Sequence, residues 1–454
     1  MVLNTATAAK IPPTADGRMP GLGHLGALAR NPLAFMSSLR PVADVVTIYL
    51  GTRPVYVVNT LDLVRTLLVE EASSCTRGIV HDKVVPVFGN GLLTAEGSLH
   101  RQQRRLLQPA FQPQQIAQFA GSMAQAATAQ SRSWTPGKAF SATSEMHAAV
   151  VKMMSRALFR TDLADAVSDT LERVDLDVTR GCMWRTLYPA AWLEKLPIPV
   201  NLRFNRASAE MKSMVADVIA AYRSTGGADG GVLDILLSAS DADTGHQMSD
   251  DQLRDEVITL LIAGSETAAV TLAWMFHELA ENPDVDERMA AELGETMADR
   301  PISYPDLQRL TYANRVLNET LRLHTPTWIL MRHAEQPLNL GGFQVPAGGE
   351  VLFSLTAMHR DPDIYPDPLR FDPDRWEPER SALLPPNAFM PFGAGKRQCI
   401  GNSFAWTEML IMAATVLRDW RLVHAPGKRV REQPLATVRP KGLQLIPLPR
   451  SSGR

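Results

Sequence analysis

Cysteine is scarce in this 454-residue sequence, limited to Cys75, Cys182 and Cys399. An odd, sparse set excludes a disulfide framework and fits a reducing compartment, where a thiol is a ligand or a buried small side chain. Charge of one sign is also lacking: the net value is −2, without the basic surplus that nucleic-acid partners demand. The first residues show no apolar stretch of signal-peptide length, and no membrane anchor is expected. Internal repeats and long low-complexity tracts are missing too. The nearest approach to a membrane span is residues 257–276, and Ser265, Glu266 and Thr267 interrupt it. A carboxylate at the centre of a lipid-facing helix is costly. The segment therefore reads as a helix buried on all sides within protein, and the chain is expected to be soluble and cytoplasmic.

What is present suits a large globular core, with 45% hydrophobic residues. Residues 1–18 read as an extended lead-in, rich in Pro and polar residues, and 19–454 as one domain without a clear linker. Two β-branched runs, 45–50 and 54–58, flank Gly51-Thr52-Arg53 and predict a hairpin. From about 61 to 293 the pattern is mostly helical, broken by loops at 226–231 and 241–245. Asp250 opens a long helix that ends near Glu281, before Asn282-Pro283, and another follows over 285–297. Beyond about 324 prolines cluster, which predicts a loop-rich region. Short strands are expected at 351–354, 421–424 and 443–447, and a helix at 402–417. The fold class is mainly α with a small β region.

The most informative stretch runs from Pro391 to Gly401 and carries the spacing F-x-x-G-x-R-x-C-x-G. Glycines here let backbone approach a flat ligand and take turn conformations. Backbone amides of such a loop can donate to a thiolate and tune it. Phe392 can screen the sulfur of Cys399 from water, and Arg397 can pair with a carboxylate. The helix that follows would place its positive end near the sulfur and favour the thiolate. Zinc fits poorly, because no second Cys or His lies within ligand spacing of Cys399. Cys75 and Cys182 read as buried, inert thiols.

At these residues the chain resembles the cytochrome P450 family, and the resemblance extends from about residue 19 to 447. Further motifs follow in the family's order. Glu319-Thr-Leu-Arg322 matches E-x-x-R, two residues that share a helix face. By resemblance, Arg370 in Pro368-Leu-Arg-Phe371 completes a Glu–Arg–Arg network, although Leu369 stands where the family usually has Glu. Ala263-Gly-Ser-Glu-Thr267 matches A-G-x-[D/E]-T. The resemblance implies that Gly264 lets the helix open over iron, and that Glu266 and Thr267 deliver protons to bound oxygen. Residues 98–111 look like the family's haem-edge helix, with His100 in the usual Trp position and Arg104 retained.

The resemblance implies a cytochrome P450 fold, haem b (iron protoporphyrin IX) and Cys399 as axial ligand. It implies propionate contacts from His100, Arg104, Arg332 and Arg397, with Phe392, Gly395 and Gly401 shaping the ligand loop. A thiolate ligand pushes electron density onto iron and favours O–O cleavage. The implied reaction inserts one oxygen atom from O2 into an apolar substrate. With no flavin or iron–sulfur signature, electrons are expected from NAD(P)H through a ferredoxin and its reductase. Pocket walls are expected to include Val85, Phe88, Ala263, Thr327 and Trp328. Several stretches, such as Asn31-Pro-Leu-Ala-Phe35, are similar to bacterial terpene-oxidising members, which points to a sesquiterpene in secondary metabolism. A polyketide or macrolide intermediate and a fatty acid stay open as substrates. So do a peroxide-driven enzyme, which tends to lack an acid–alcohol pair, and a non-catalytic haem sensor, which would need a signalling module.

Overall fold

The structure is a computed structural model that describes residues 10–159, 163–187, 191–224, 230–240, 245, 247–297, 300–427 and 429–450. The expected loops at 226–231 and 241–245 lie largely outside the described residues. The chain divides into two compact units, neither continuous in sequence. One comprises residues 1–82, 327–370 and 379–399, and the other 83–326, 371–378 and 400–454.

The first unit is built on a five-stranded sheet. Its order is Val45–Leu50, Arg53–Val58, Glu350–Ser354, Ile329–Ala334 and Cys75–Thr76. The first two strands form the expected hairpin, registered Val45 on Val58 and Leu50 on Arg53, with Gly51 at φ +64° in the turn. Arg53–Val58 pairs in parallel with Glu350–Ser354, and the remaining ladders are antiparallel. The β-branched residues of the hairpin suit this packed position: Val45, Val46, Ile48, Val55, Val57 and Val58 are all buried. Val45, Val58, Val351 and Phe353 join Leu67, Leu68 and Met390 in one core cluster. Part of the expected lead-in adds to this unit, because Thr14 bridges Thr47 and Lys10 bridges Phe343.

The second unit is helical, and its axis is the helix Asp250–Glu281. Ser249 and Gln252 close a capping box at its start, satisfying two orphan N–H groups. It stops at Glu281 because Asn282 precedes Pro283 and leaves helical geometry. This helix is the one described helix long and apolar enough to cross a membrane, and its apolar stretch is mostly buried. It packs against Ala142–Phe159, while Asn402–Asp419 packs against Pro113–Arg132. A three-stranded sheet joins Phe140–Ser141, Gln444–Pro449 and Trp420–His424. A separate hairpin pairs Arg431–Pro434 with Val438–Lys441. The expected strands at 351–354, 421–424 and 443–447 are thus found within a residue or two. The hairpin at 431–441 was not expected, because its polar residues and prolines carry no strand signal.

Candidate active site

The cysteine loop belongs to the first unit. It is shaped by backbone hydrogen bonds: Gly393 N–H donates to Met390 O at 3.0 Å, and Cys399 N–H donates to Phe392 O at 3.0 Å. Its entry is pinned by Met390 N–H donating to His359 Nε2 at 3.1 Å. Gly395 lies at φ +71°, and a Cβ there would run into the carbonyl oxygen of Leu68. Both facts require glycine. Cys399 is exposed, whereas Cys75 and Cys182 are partly buried. Burial pushes Cys75 up to about 11 and Cys182 up to about 12, which keeps both as inert thiols. The exposed thiol is the one in the motif.

The same unit gathers a cationic cluster that the sequence reading only half anticipated. Arg332 is buried. His81 is held well below the usual imidazole range by burial first, then by the guanidiniums of Arg77, Arg332 and Arg397. Arg77 Nη1 donates to His81 Nε2 at 2.8 Å, so the neutral ring carries its proton on Nδ1. That Nδ1 is buried and has no hydrogen-bond partner. A buried N–H donor without an acceptor, among converging positive charges, fits a carboxylate such as a haem propionate. Arg77 and His81 carried no motif; only the folded arrangement brings them to Arg332 and Arg397.

The second unit holds the acid–alcohol motif. Between residues 255 and 276 the long helix is buried everywhere except at 262, 263, 264 and 267, and Ala263 is the exposed one. This opening lies at the motif, as an adjoining space for a bound group requires. Thr267 Oγ1 donates to Ala263 O at 2.9 Å. Glu266 is buried and turned to the hairpin: Arg439 Nε and Nη2 each donate to it at 2.7 Å, and Thr437 Oγ1 at 2.5 Å. Arg439 and Thr437 stand far downstream, and no local pattern links them to Glu266. The helix is continuous through Gly264, and a Cβ there would meet the methyl end of the Met154 side chain on the neighbouring helix.

The structural network around Glu319 also corrects one expectation. Arg322 and Glu319 are fully buried and joined by two bonds, Nε to Oε2 at 2.9 Å and Nη2 to Oε1 at 2.8 Å. The second arginine on Glu319 is Arg375, at 3.4 Å, and Arg370 is exposed. Trp376 Nε1 donates at 2.9 Å and Asp372 N–H at 3.0 Å. The 3-10 turn Pro373–Trp376 projects Arg375 and Trp376 together to the carboxylate.

The remaining expected residues are distributed as follows. His100 is buried and Arg104 half-buried, one turn apart on the helix Gly97–Leu107. Gly401 precedes the helix Asn402–Asp419, where a Cβ would touch the Phe111 ring at 3.6 Å. Phe392 and Arg397 are half-buried. Of the expected pocket walls, Val85 and Ala263 are exposed, Thr327 is half-buried, and Phe88 and Trp328 are buried.

Comparison with known proteins agrees with these motifs. Residues 12–447 match the family model of cytochrome P450. The chain is 38% identical to cyclooctatin synthase of Streptomyces melanosporofaciens, over 96% of this chain and 95% of that one. It is 34% identical to pentalenene oxygenase of Streptomyces avermitilis, over 97% and 98%. Among solved structures, the haem domain of cytochrome P450DA superposes with a TM-score of 0.87 at 25% identity, covering 98% of this chain and 99% of that one. Retinoic acid-bound cyanobacterial CYP120A1 gives 0.85, also at 25% identity, covering 98% and 100%. With the cysteine loop, the E-x-x-R pair and the acid–alcohol helix in place, the chain belongs to the cytochrome P450 family and is a monooxygenase that works with haem and redox partners.

Proposed function

We propose that the chain hydroxylates an apolar terpenoid, such as a sesquiterpene, with Cys399 as the thiolate ligand of haem b. The observation that carries the substrate class is the opening in the long helix. Ile262, Ala263 and Gly264 present only aliphatic surface there, and Thr267 adds a hydroxyl already bonded to Ala263 O. Glu266, the nearest charge in sequence, is occupied by Arg439 and Thr437. Such a surface rewards an apolar ligand by roughly 0.8 kcal/mol per buried CH2 and offers a charged one no partner. The relatives' names point the same way, one to cyclooctatin and one to the alkene pentalenene.

Bound haem would supply the insertion of one oxygen atom into an unactivated C–H bond. The chain's own residues do the rest. Cys399 Sγ would hold the iron as a thiolate and lend it electron density. His81 Nδ1–H, with Arg77, Arg332 and Arg397, suits one propionate, and His100 and Arg104 serve the haem edge by resemblance. Phe392 and the glycines of the loop shape the sulfur's surroundings. Thr267 Oγ1 would hand on its proton, and Glu266, once loosened from Arg439, would take a proton from solvent and return it to Thr267 Oγ1. Soluble ferredoxin and its reductase, drawing on NAD(P)H in the cytoplasm, are the proposed electron donors. The reduced carbonyl complex of the purified protein should show the red-shifted Soret band of thiolate ligation, and Cys399→Ala should abolish it. Terpenoid hydrocarbons should convert the ferric haem from low to high spin. A nitrogen-ligated spectrum would overturn the ligand assignment, and spin conversion by charged compounds alone would overturn the substrate class.

A further inference from the structure

The far end of the long helix carries a second cluster that the monooxygenase chemistry does not use. His277 and Glu281 stand four residues apart, one above the other in its last turn. His424, at the end of the strand Trp420–His424, completes the group. His277 Nδ1 lies 2.9 Å from His424 Nε2, and His424 Nδ1 lies 2.9 Å from Glu281 Oε1. One ligand atom from each of the three lies within 4.8 Å of the others. A cavity of about 470 Å3 opens beside them, lined also by Gly427, Arg429 and Val430.

We propose that His277, Glu281 and His424 bind a divalent transition-metal ion of the zinc class. Two imidazoles and one carboxylate are the donor set of open zinc sites, with the fourth position left to water or a small anion. Tetrahedral bonds of about 2.0–2.1 Å set neighbouring donor atoms roughly 3.3 Å apart. The His277 Nδ1–His424 Nε2 separation of 2.9 Å needs to widen only slightly to admit the ion, and Glu281, which rests on the other ring nitrogen of His424, swings its carboxylate to that ion from within 4.8 Å. A helix presenting donors at i and i+4 is a recurrent way to place two ligands on one ion. The helix end adds a second, independent factor. Its last carbonyls carry the negative pole of the macrodipole, which attracts a cation. The cavity supplies the open position, and exposed Arg429 on its wall suits an anionic fourth ligand.

In the metal-free chain the same groups form a short hydrogen-bonded series. His424 Nδ1–H donates to Glu281, and His277 Nδ1–H donates to His424 Nε2. Binding moves the His277 proton to its other ring nitrogen and places the ion between the two rings. Glu281 then completes the set. Ions that prefer all-oxygen ligands, such as Mg2+, should not compete. The site lies ten residues beyond Thr267 on one helix, roughly 15 Å along its axis. It is therefore outside the groups assigned to oxygen chemistry.

The test is calorimetric titration of ZnCl2 into the haem-loaded full chain after chelator treatment, with MgCl2 as control. One zinc site is expected, and His424→Gln and Glu281→Gln should each weaken it by about tenfold or more. Both substituted side chains are partly exposed, so the variants should fold, and an unchanged Soret band and melting profile would verify that. Cu2+ should displace zinc and Mg2+ should not. Zinc bound equally well by wild type and both variants, or no zinc site at all, would overturn the proposal and leave the three residues as a hydrogen-bonded series.

Discussion

Glu256 is placed to make the stability of this protein fall as the pH rises through neutrality. Its side chain is fully buried in the long helix; Oε2 accepts Leu92 N–H at 2.9 Å, and Oε1 has no partner. Burial pushes the carboxyl up to about 8, with the Leu92 bond opposing and the neighbouring Asp255 charge adding to the rise. In the unfolded chain the same group releases its proton near 4.5. Between those two values the folded state holds a proton that the unfolded state has lost. The contribution of Glu256 to stability is therefore greatest below about 4.5 and declines as the pH climbs towards 8. At about 1.4 kcal/mol per pH unit, the decline from pH 5 to 7.5 is roughly 3 kcal/mol. That is a sizeable share of the ~5–15 kcal/mol that holds a native domain. Glu256→Gln keeps an acceptor for Leu92 N–H and cannot ionise. Urea midpoints of wild type and variant, measured from pH 5 to 8 by tryptophan fluorescence, should therefore diverge, the wild type losing ground at high pH. Other titrating groups act on both proteins and cancel in the difference. Parallel curves would refute the reasoning.

Other perturbations follow from the same accounting of buried charge. Glu319→Gln removes the charge opposing fully buried Arg322 and should cost about 3–5 kcal/mol, read as loss of haem-loaded protein; near-native thermal stability would contradict it. Glu408 is fully buried with neither oxygen bonded, and burial alone holds it far above the usual carboxyl range. Glu408→Met should therefore stabilise the protein by about 1–3 kcal/mol, visible as a higher melting temperature, and a lower one would show an unrecognised partner. Arg439→Met takes both guanidinium bonds from Glu266 and leaves it with Thr437. Product formed per electron pair should drop while the substrate-induced spin shift persists; unchanged coupling would separate Arg439 from proton delivery.

Much of this protein is decided locally and is legible in the chain. The Cys399 loop depends on glycines at turn positions. The long helix depends on Ser249 at its start and Asn282-Pro283 at its end. The hairpin 45–58 depends on β-branched runs around Gly51. These signals act over a few residues, so they survive without tertiary context. The identity of the second arginine on Glu319 does not. Arg370 and Arg375 are five residues apart, and only the 3-10 turn at Pro373 selects Arg375.

The partners of buried charge belong entirely to the tertiary structure. Glu266 meets Arg439 across 173 positions and Glu256 meets Leu92 across 164. Neither pairing leaves a periodic or compositional trace. Each exists because desolvation makes an unpartnered carboxyl group expensive, and the partner is whichever donor the packing brings near. The sequence by itself determined the cysteine motif, the helical frame and the chemical class. Packing decided which charges oppose one another, where the long helix is left open, and that His277, Glu281 and His424 share one corner.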